Sequence, residues 1–216
     1  MGSSIYAGTW GGDGIFVANI NGTSWSPGNK GLVNTHVYAM EYKFPYLFAG
    51  TSNNGVFRST DLGANWQKVN QGLTNTNVRA LFNHSTGLYA GTEAGGIFKS
   101  TDDGDNWAAF STGLPANSLI RNFTANSNYI FTATNTGVYR LPTNGTNWEQ
   151  SNAGFTGPSF NVYALAIKDD KIFAGVYAIG ADGGGVYRST NNGVNWVPVN
   201  TGLTNTYVRK IIISGT

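Results

Sequence analysis

Ser59-Thr60-Asp61-Leu62-Gly63-Ala64-Asn65-Trp66 returns as Ser100-Thr101-Asp102-Asp103-Gly104-Asp105-Asn106-Trp107 and, with asparagine in the acidic place, as Ser189-Thr190-Asn191-Asn192-Gly193-Val194-Asn195-Trp196. Two looser copies, Ala18-Asn19-Ile20-Asn21-Gly22-Thr23-Ser24-Trp25 and Leu141-Pro142-Thr143-Asn144-Gly145-Thr146-Asn147-Trp148, keep the Gly and the Trp. The five tryptophans that close these copies are separated by 41, 41, 41 and 48 residues. A period of about 40 built from short β-like segments marks propeller blades or a solenoid.

In the repeat ending at Trp107, four short runs rich in β-branched and aromatic residues are separated by Gly, Asn, Asp and Ser: Val78-Arg79-Ala80-Leu81-Phe82, Leu88-Tyr89-Ala90-Gly91-Thr92, Gly96-Ile97-Phe98-Lys99-Ser100 and Trp107-Ala108-Ala109-Phe110. No segment keeps apolar residues at helical spacing over even about ten residues, so the chain reads as all-β. Four antiparallel strands make one propeller blade. The second strand recurs as Ile5-Tyr6-Ala7-Gly8-Thr9, Leu47-Phe48-Ala49-Gly50-Thr51, Leu88 to Thr92, Ile130-Phe131-Thr132-Ala133-Thr134 and Ile172-Phe173-Ala174-Gly175-Val176, which predicts five blades in a single domain over residues 1–216. Its small fourth residue suits a close approach of neighbouring sheets.

The sequence opens on a second strand, and Val208-Arg209-Lys210-Ile211-Ile212-Ile213 reads as a first strand without followers. Pairing the two would complete the first blade and remove its open edge. The expected fold is therefore a five-bladed β-propeller of four-stranded antiparallel blades, the first closed by the C-terminal strand. A monomer is expected, and a strand-exchanged oligomer satisfies the same arithmetic.

The balance of 13 basic and 11 acidic residues leaves a charge of +2, and the basic residues are scattered rather than clustered, which argues against nucleic acid or an anionic membrane as partner. Cysteine is absent, which removes disulfides and thiolate chemistry. No run approaches the ~20 apolar residues of a membrane span, so no membrane insertion is expected. With 11% charged residues and 30 Gly, solubility rests on the Asn, Thr and Ser of the turns. Such a surface suits a secreted or periplasmic bacterial protein, although Met1-Gly2-Ser3-Ser4-Ile5 lacks the regions of a signal peptide.

The pattern Ser-x-Asp-x-Gly-x-x-Trp resembles the Asp-box, or BNR, repeat of sialidases, sortilin-type receptors, xyloglucanase-type hydrolases and photosystem II assembly factors, and the resemblance runs over nearly the whole chain. It implies a structural role for Asp61, Asp102 and Asn191 and for Gly22, Gly63, Gly104, Gly145 and Gly193, on the rim opposite the usual ligand face. Physically, the acid or amide accepts backbone N–H bonds, Gly takes a left-handed conformation and Trp packs between sheets. Proteins sharing this repeat have hydrolase, receptor and assembly roles, so fold alone transfers no function.

Ligand chemistry is expected at the other end of the strands, where the loops between repeats and the turns between second and third strands meet. The inter-repeat loops, such as Gly72-Leu73-Thr74-Asn75-Thr76-Asn77, supply amides and hydroxyls. Each is followed by one large residue: Tyr38, Arg79, Arg121, Tyr163 or Arg209. In sialidases, which the repeat resembles, an arginine cluster clamps a substrate carboxylate through bidentate bonds. The second-to-third turns add Trp10 and Asp13, Glu93, and Asp182 within a longer segment, Tyr177 to Gly185. Trp10 is the one Trp outside the repeat series, and an exposed aromatic is a platform for a sugar ring or a peptide side chain.

A glycosidase needs two carboxylates roughly 5–10 Å apart, and Asp13 with Asp182 is the one pair the topology offers. The Phe/Tyr-Arg-Ile-Pro segment of sialidases is missing. His36 and His84 stand in different loops without metal-ligand spacing, no Gly-x-Ser-x-Gly elbow occurs, and Gly183-Gly184-Gly185 lacks the lysine of a phosphate loop. The expected protein is a non-catalytic module without cofactor or metal, binding glycan or protein. A sialidase-like hydrolase and a purely structural amplified repeat are the alternatives.

Overall fold

The computed structural model describes residues 4–33, 36–157, 160–177 and 183–214. These form five antiparallel sheets, each a meander in which sequential strands are neighbours. The first holds β1 (Ser4–Gly8), β2 (Ile15–Asn19) and β3 (Ser26–Pro27). The second holds β4 (Val37–Lys43), β5 (Tyr46–Thr51), β6 (Gly55–Ser59) and β7 (Gln67–Lys68). The third is β8 (Val78–His84), β9 (Gly87–Thr92), β10 (Ile97–Ser100) and β11 (Ala108–Ala109). The fourth is β12 (Ile120–Ala125), β13 (Tyr129–Thr134), β14 (Gly137–Pro142) and β15 (Glu149–Gln150). The fifth is β16 (Asn161–Lys168), β17 (Lys171–Tyr177), β18 (Gly185–Ser189) and β19 (Val197–Pro198). The first sheet has three strands rather than four, and residues 208–213, expected as a strand, belong to none of the sheets.

The chain divides into two compact units, one up to Glu93 with Ile97–Ala109 and one of Ala94–Gly96 with the residues from Phe110 onward. The first unit contains two apolar clusters, one around Ile15, Leu47, Phe57 and Trp66 and one around Phe48, Leu88, Phe98 and Trp107. The second is organised around Phe131, Val162, Ile172, Tyr187 and Trp196. In β5, β9 and β13 the residues from the second position on are all buried, as expected of a strand flanked on both edges and both faces. The small fourth residue has the predicted use: a Cβ added at Gly50 would run into Val78 at the start of the next sheet.

The repeated octapeptide is a turn held by its own side chains. Ser59 Oγ accepts from the Gly63 N–H at 2.8 Å, and Asp61 Oδ1 accepts from the Asn65 N–H at 2.8 Å. The same bonds recur around Ser100 and Asp102, and around Ser189 with Asn191 Oδ1 as acceptor. Gly63 takes φ 83°, a left-handed value that glycine adopts without steric cost. The first and fourth copies depart from the expectation. Gly22 and Gly145 do not enter that region; instead their N–H groups donate to Asn19 O and Pro142 O in tighter turns. The reason is in the sequence, because Ala18 and Leu141 replace the serine whose hydroxyl would catch the glycine N–H.

Four of the five repeat tryptophans are keys between consecutive repeats. The indole N–H of Trp66 donates to Gly28 O, that of Trp107 to Val69 O, that of Trp148 to Phe110 O and that of Trp196 to Ser151 O, at 2.8–2.9 Å. All four are buried. Trp25 differs from the expectation of interleaved packing: it stays 49% exposed.

Candidate functional site

The first strands of the second to fifth sheets all carry a β-bulge at the same place. Pairing slips between Val37 and Ala39, Val78 and Ala80, Ile120 and Asn122, and Val162 and Ala164. The extra residues are Tyr38, Arg79, Arg121 and Tyr163, four of the five large side chains singled out in the sequence. A bulge leaves one residue outside the ladder and re-aims its side chain. In each of these four sheets the repeat therefore re-aims one side chain near the start of the first strand while leaving the rest of the ladder unchanged.

In the first unit, the Arg79 guanidinium lies 4.2 Å from the Tyr38 ring centroid. It also grips Glu93, with Nε 3.1 Å and Nη2 2.6 Å from Oε2, and the Asn77 amide donates to the same oxygen at 2.6 Å. Glu93 is thus the partner of Arg79, and the arginine is not held open for an incoming carboxylate as a three-arginine clamp would require. Trp10 is 67% exposed and meets His36 edge-to-face at 5.8 Å. Asp13 is exposed and contributes its backbone carbonyl, which accepts from Asn29 Nδ2 at 2.7 Å.

In the second unit, Arg121 and Arg209 lie 4.2 Å and 5.3 Å from the centroid of one ring, Tyr163. Tyr163 meets Tyr177 at 6.4 Å, Tyr177 meets Tyr207 at 4.4 Å, and Tyr207 donates its hydroxyl hydrogen to Tyr177 Oη at 2.7 Å. That bond holds the Tyr207 phenol protonated and raises its pKa above the ordinary 10.0. Tyr207 is 60% exposed. Guanidinium stacking on an electron-rich ring, with phenol hydroxyls at its edge, makes a surface fit for planar, polar or anionic groups. Asp182 lies outside the described residues.

The two units thus differ at equivalent positions. At the place after the recurring five-residue run of the second strand stands Glu93 in the third sheet, Asn135 in the fourth and Tyr177, the last residue of β17, in the fifth. Tyr177 and Tyr207 are not among the expected site residues, because each differs from the residue at the equivalent place in the other repeats and the spacing gives no sign that the two rings meet. A further residue breaks the pattern: Glu41 stands on β4 opposite Phe48, where Phe82, Thr124 and Ala166 stand on the later first strands. Burial raises its carboxyl to about 7, against smaller opposing backbone hydrogen bonds at Tyr42 and Asn83.

No protein-family model and no curated protein sequence matches the chain. Among solved structures it is similar to the extracellular domain of a B. thetaiotaomicron protein described as a hybrid two component system, with TM-score 0.75 and 15% identity over 97% of this chain and 28% of that one. It is also similar to the GH74 xyloglucanase from Xanthomonas campestris, with TM-score 0.73 and 16% identity over 96% and 40% of the two chains. A third likeness is to YCF48 bound to D1 peptide, with TM-score 0.63 and 16% identity over 91% and 70%. The chain thus spans well under half the length of the first two. At these identities the likeness concerns the fold, which is of the propeller type.

Proposed function

We propose that the chain is a non-catalytic binding module, one five-bladed propeller domain whose first blade takes the Val208–Ile213 segment as its innermost strand, and that it holds a glycan or protein segment on the bulged ends of its strands. The observation that carries this reading is the row of bulges, which spends the same backbone irregularity four times to aim Tyr38, Arg79, Arg121 and Tyr163 away from the core.

A non-catalytic role is favoured because Glu93 already accepts three hydrogen bonds on one oxygen. The likeness to extracellular domains supports a secreted or periplasmic place, and no helix among the described residues is long and apolar enough to cross a membrane. That a structure similar in fold has been solved with a peptide bound supports a protein segment as one kind of ligand.

The test is a paired screen of the purified chain on a glycan array and a peptide array, repeated with Tyr163→Ala. Specific hits that Tyr163→Ala loses, at unchanged thermal stability, are the expected result. Blank arrays of both kinds would sink the binding reading and leave a structural module.

A further inference from the structure

In the first unit, the place after the second strand's five-residue run is held by Trp10 in the first sheet, Ser52 in the second and Glu93 in the third. A tryptophan there does not serve the core. Trp10 is 67% exposed, and its indole N–H donates to no group among the described residues. The four junction tryptophans, by contrast, are buried and each donates to a carbonyl. The ring contact of Trp10 with His36 is edge-to-face at 5.8 Å, so at least one face of the indole stays open.

The loop that carries Trp10 is held at both ends. Thr9 binds Gly14 O twice, through its N–H at 2.8 Å and its hydroxyl at 2.9 Å. Asn29 clasps the far side, its amide donating to Asp13 O at 2.7 Å and its oxygen accepting from the Ile15 N–H at 2.6 Å. Gly14 takes φ 79°, and an added Cβ would run into Asn29. Beside Trp10, a Cβ at Gly11 would meet nothing within 4 Å. The indole thus stands on a fixed loop facing open space, and few rotatable bonds remain to be ordered when something lands on it.

From His36 the surface continues into the start of β4. Val37 is buried, and the residues on either side of it, His36 and Tyr38, are partly exposed. Tyr38 bears on the Arg79 guanidinium, and Arg79 on Glu93. All three hydrogen bonds to that carboxylate fall on Oε2, so Oε1 accepts none among the described residues and Arg79 Nη1 donates none. An open acceptor beside an open donor suits vicinal hydroxyls, each of which both gives and takes a hydrogen bond. Arg79 and Glu93 cancel in charge, and the exposed Asp13 carboxylate leaves the surface slightly negative, which disfavours an anionic ligand.

We infer that this surface of the first unit is a subsite for a neutral glycan whose pyranose rings carry equatorial hydroxyls. The inference rests on the binding-module reading and narrows its ligand. A pyranose of that configuration presents a flat face of C–H groups, which packs on an indole while the hydroxyls at its rim stay free for polar partners. Trp10 takes one ring face, and Arg79 Nη1 with Glu93 Oε1 take hydroxyls further along. His36 and Tyr38 lie between them, so the ligand is a chain rather than a single sugar. A peptide side chain is anchored instead by enclosure in a desolvated pocket, which an indole 67% exposed does not provide.

The full chain is titrated by calorimetry with cellohexaose, with xylohexaose and, as the acidic counterpart, with hexagalacturonate, while tryptophan fluorescence is followed. The expected result is binding of at least one neutral hexamer in preference to the acidic one, with a fluorescence change that disappears in Trp10→Phe. Trp10→Ala should weaken that binding about tenfold at an unchanged thermal midpoint. Trp10→Phe keeps a smaller aromatic face and should recover part of the affinity, and Trp25→Phe should leave the affinity as it is. Undiminished affinity in Trp10→Ala, or failure of both neutral hexamers to bind, overturns the inference. Hits on the peptide array or binding of hexagalacturonate would in that case leave the binding module standing with another ligand, whereas silence throughout would remove both readings.

Discussion

Burial on β4 raises the Glu41 carboxyl from its ordinary 4.5 to about 7, and this sets a sign for the response of the fold to pH. The folded chain holds a proton that the unfolded chain releases, so stability is full below about 4.5 and falls as pH rises through 7. Each pKa unit is worth about 1.4 kcal/mol, which sets an upper bound of about 3.5 kcal/mol, reduced by solvent screening because the group is only partly buried. Glu41→Gln should flatten that slope, as measured by urea midpoints across the interval; a slope unchanged in the variant would assign the dependence to another group. Asp102 acts in the opposite sense. Bonds from the Asn106 side chain and backbone and from Ser100 lower its carboxyl to about 2, so its contribution is present above 3.8 and lost as pH falls through 2. Asp102→Asn should remove that acid-side dependence while keeping the turn, since Asn191 makes the equivalent backbone bond in the fifth sheet.

At the scale of the element, the junction tryptophans and the bulges answer to different parts of the sequence. Trp66→Ala empties a site in the first unit's core and should cost about 3–5 kcal/mol, as large-to-small core substitutions do. Trp25→Ala, half exposed at the start, should cost the isolated chain much less. Comparable losses from the two, by chemical denaturation of dilute protein, would mean that Trp25 is covered. The 41-residue spacing of Trp and the Ser-Gly pair made the strands, turns and sheet count legible, because each answers to local periodicity and turn chemistry. The asparagine four residues after four of the five repeat Trp, with Ser111 in that place after Trp107, was legible too but passed unread: Asn29, Asn70, Asn152 and Asn200 each accept an N–H at the start of the third strand, at 2.6–2.8 Å. The large residues at the first strands were recognisable by type, but not their pairings. Whether Arg79 stays open or closes on Glu93 depends on a bulge that re-aims it, and the alternation of apolar residues carries no mark of a single slipped register.

For the molecule as a whole, the repeat copies a frame and then varies what each copy presents. In the first unit the Arg79 charge is matched by Glu93 in a pair about one-third exposed on each side. In the second unit the place of Glu93 is taken by Asn135 and Tyr177, and Arg209, on an exposed segment, approaches Tyr163. An anionic ligand should therefore depend on the second unit more than on the first. Arg79→Ala should change the affinity for such a ligand little, because a guanidinium that already donates two hydrogen bonds to one carboxylate oxygen has little left to offer a second carboxylate. Arg209→Ala should weaken it several-fold, and raising the salt should weaken the unmodified protein in the same direction, since exposed charges are screened within roughly 10 Å at 0.1 M. Titrations of both variants against one ligand, followed by calorimetry at two ionic strengths, read this asymmetry. Equal losses from the two substitutions would mean that Glu93 releases Arg79 on binding and that the two units contribute alike.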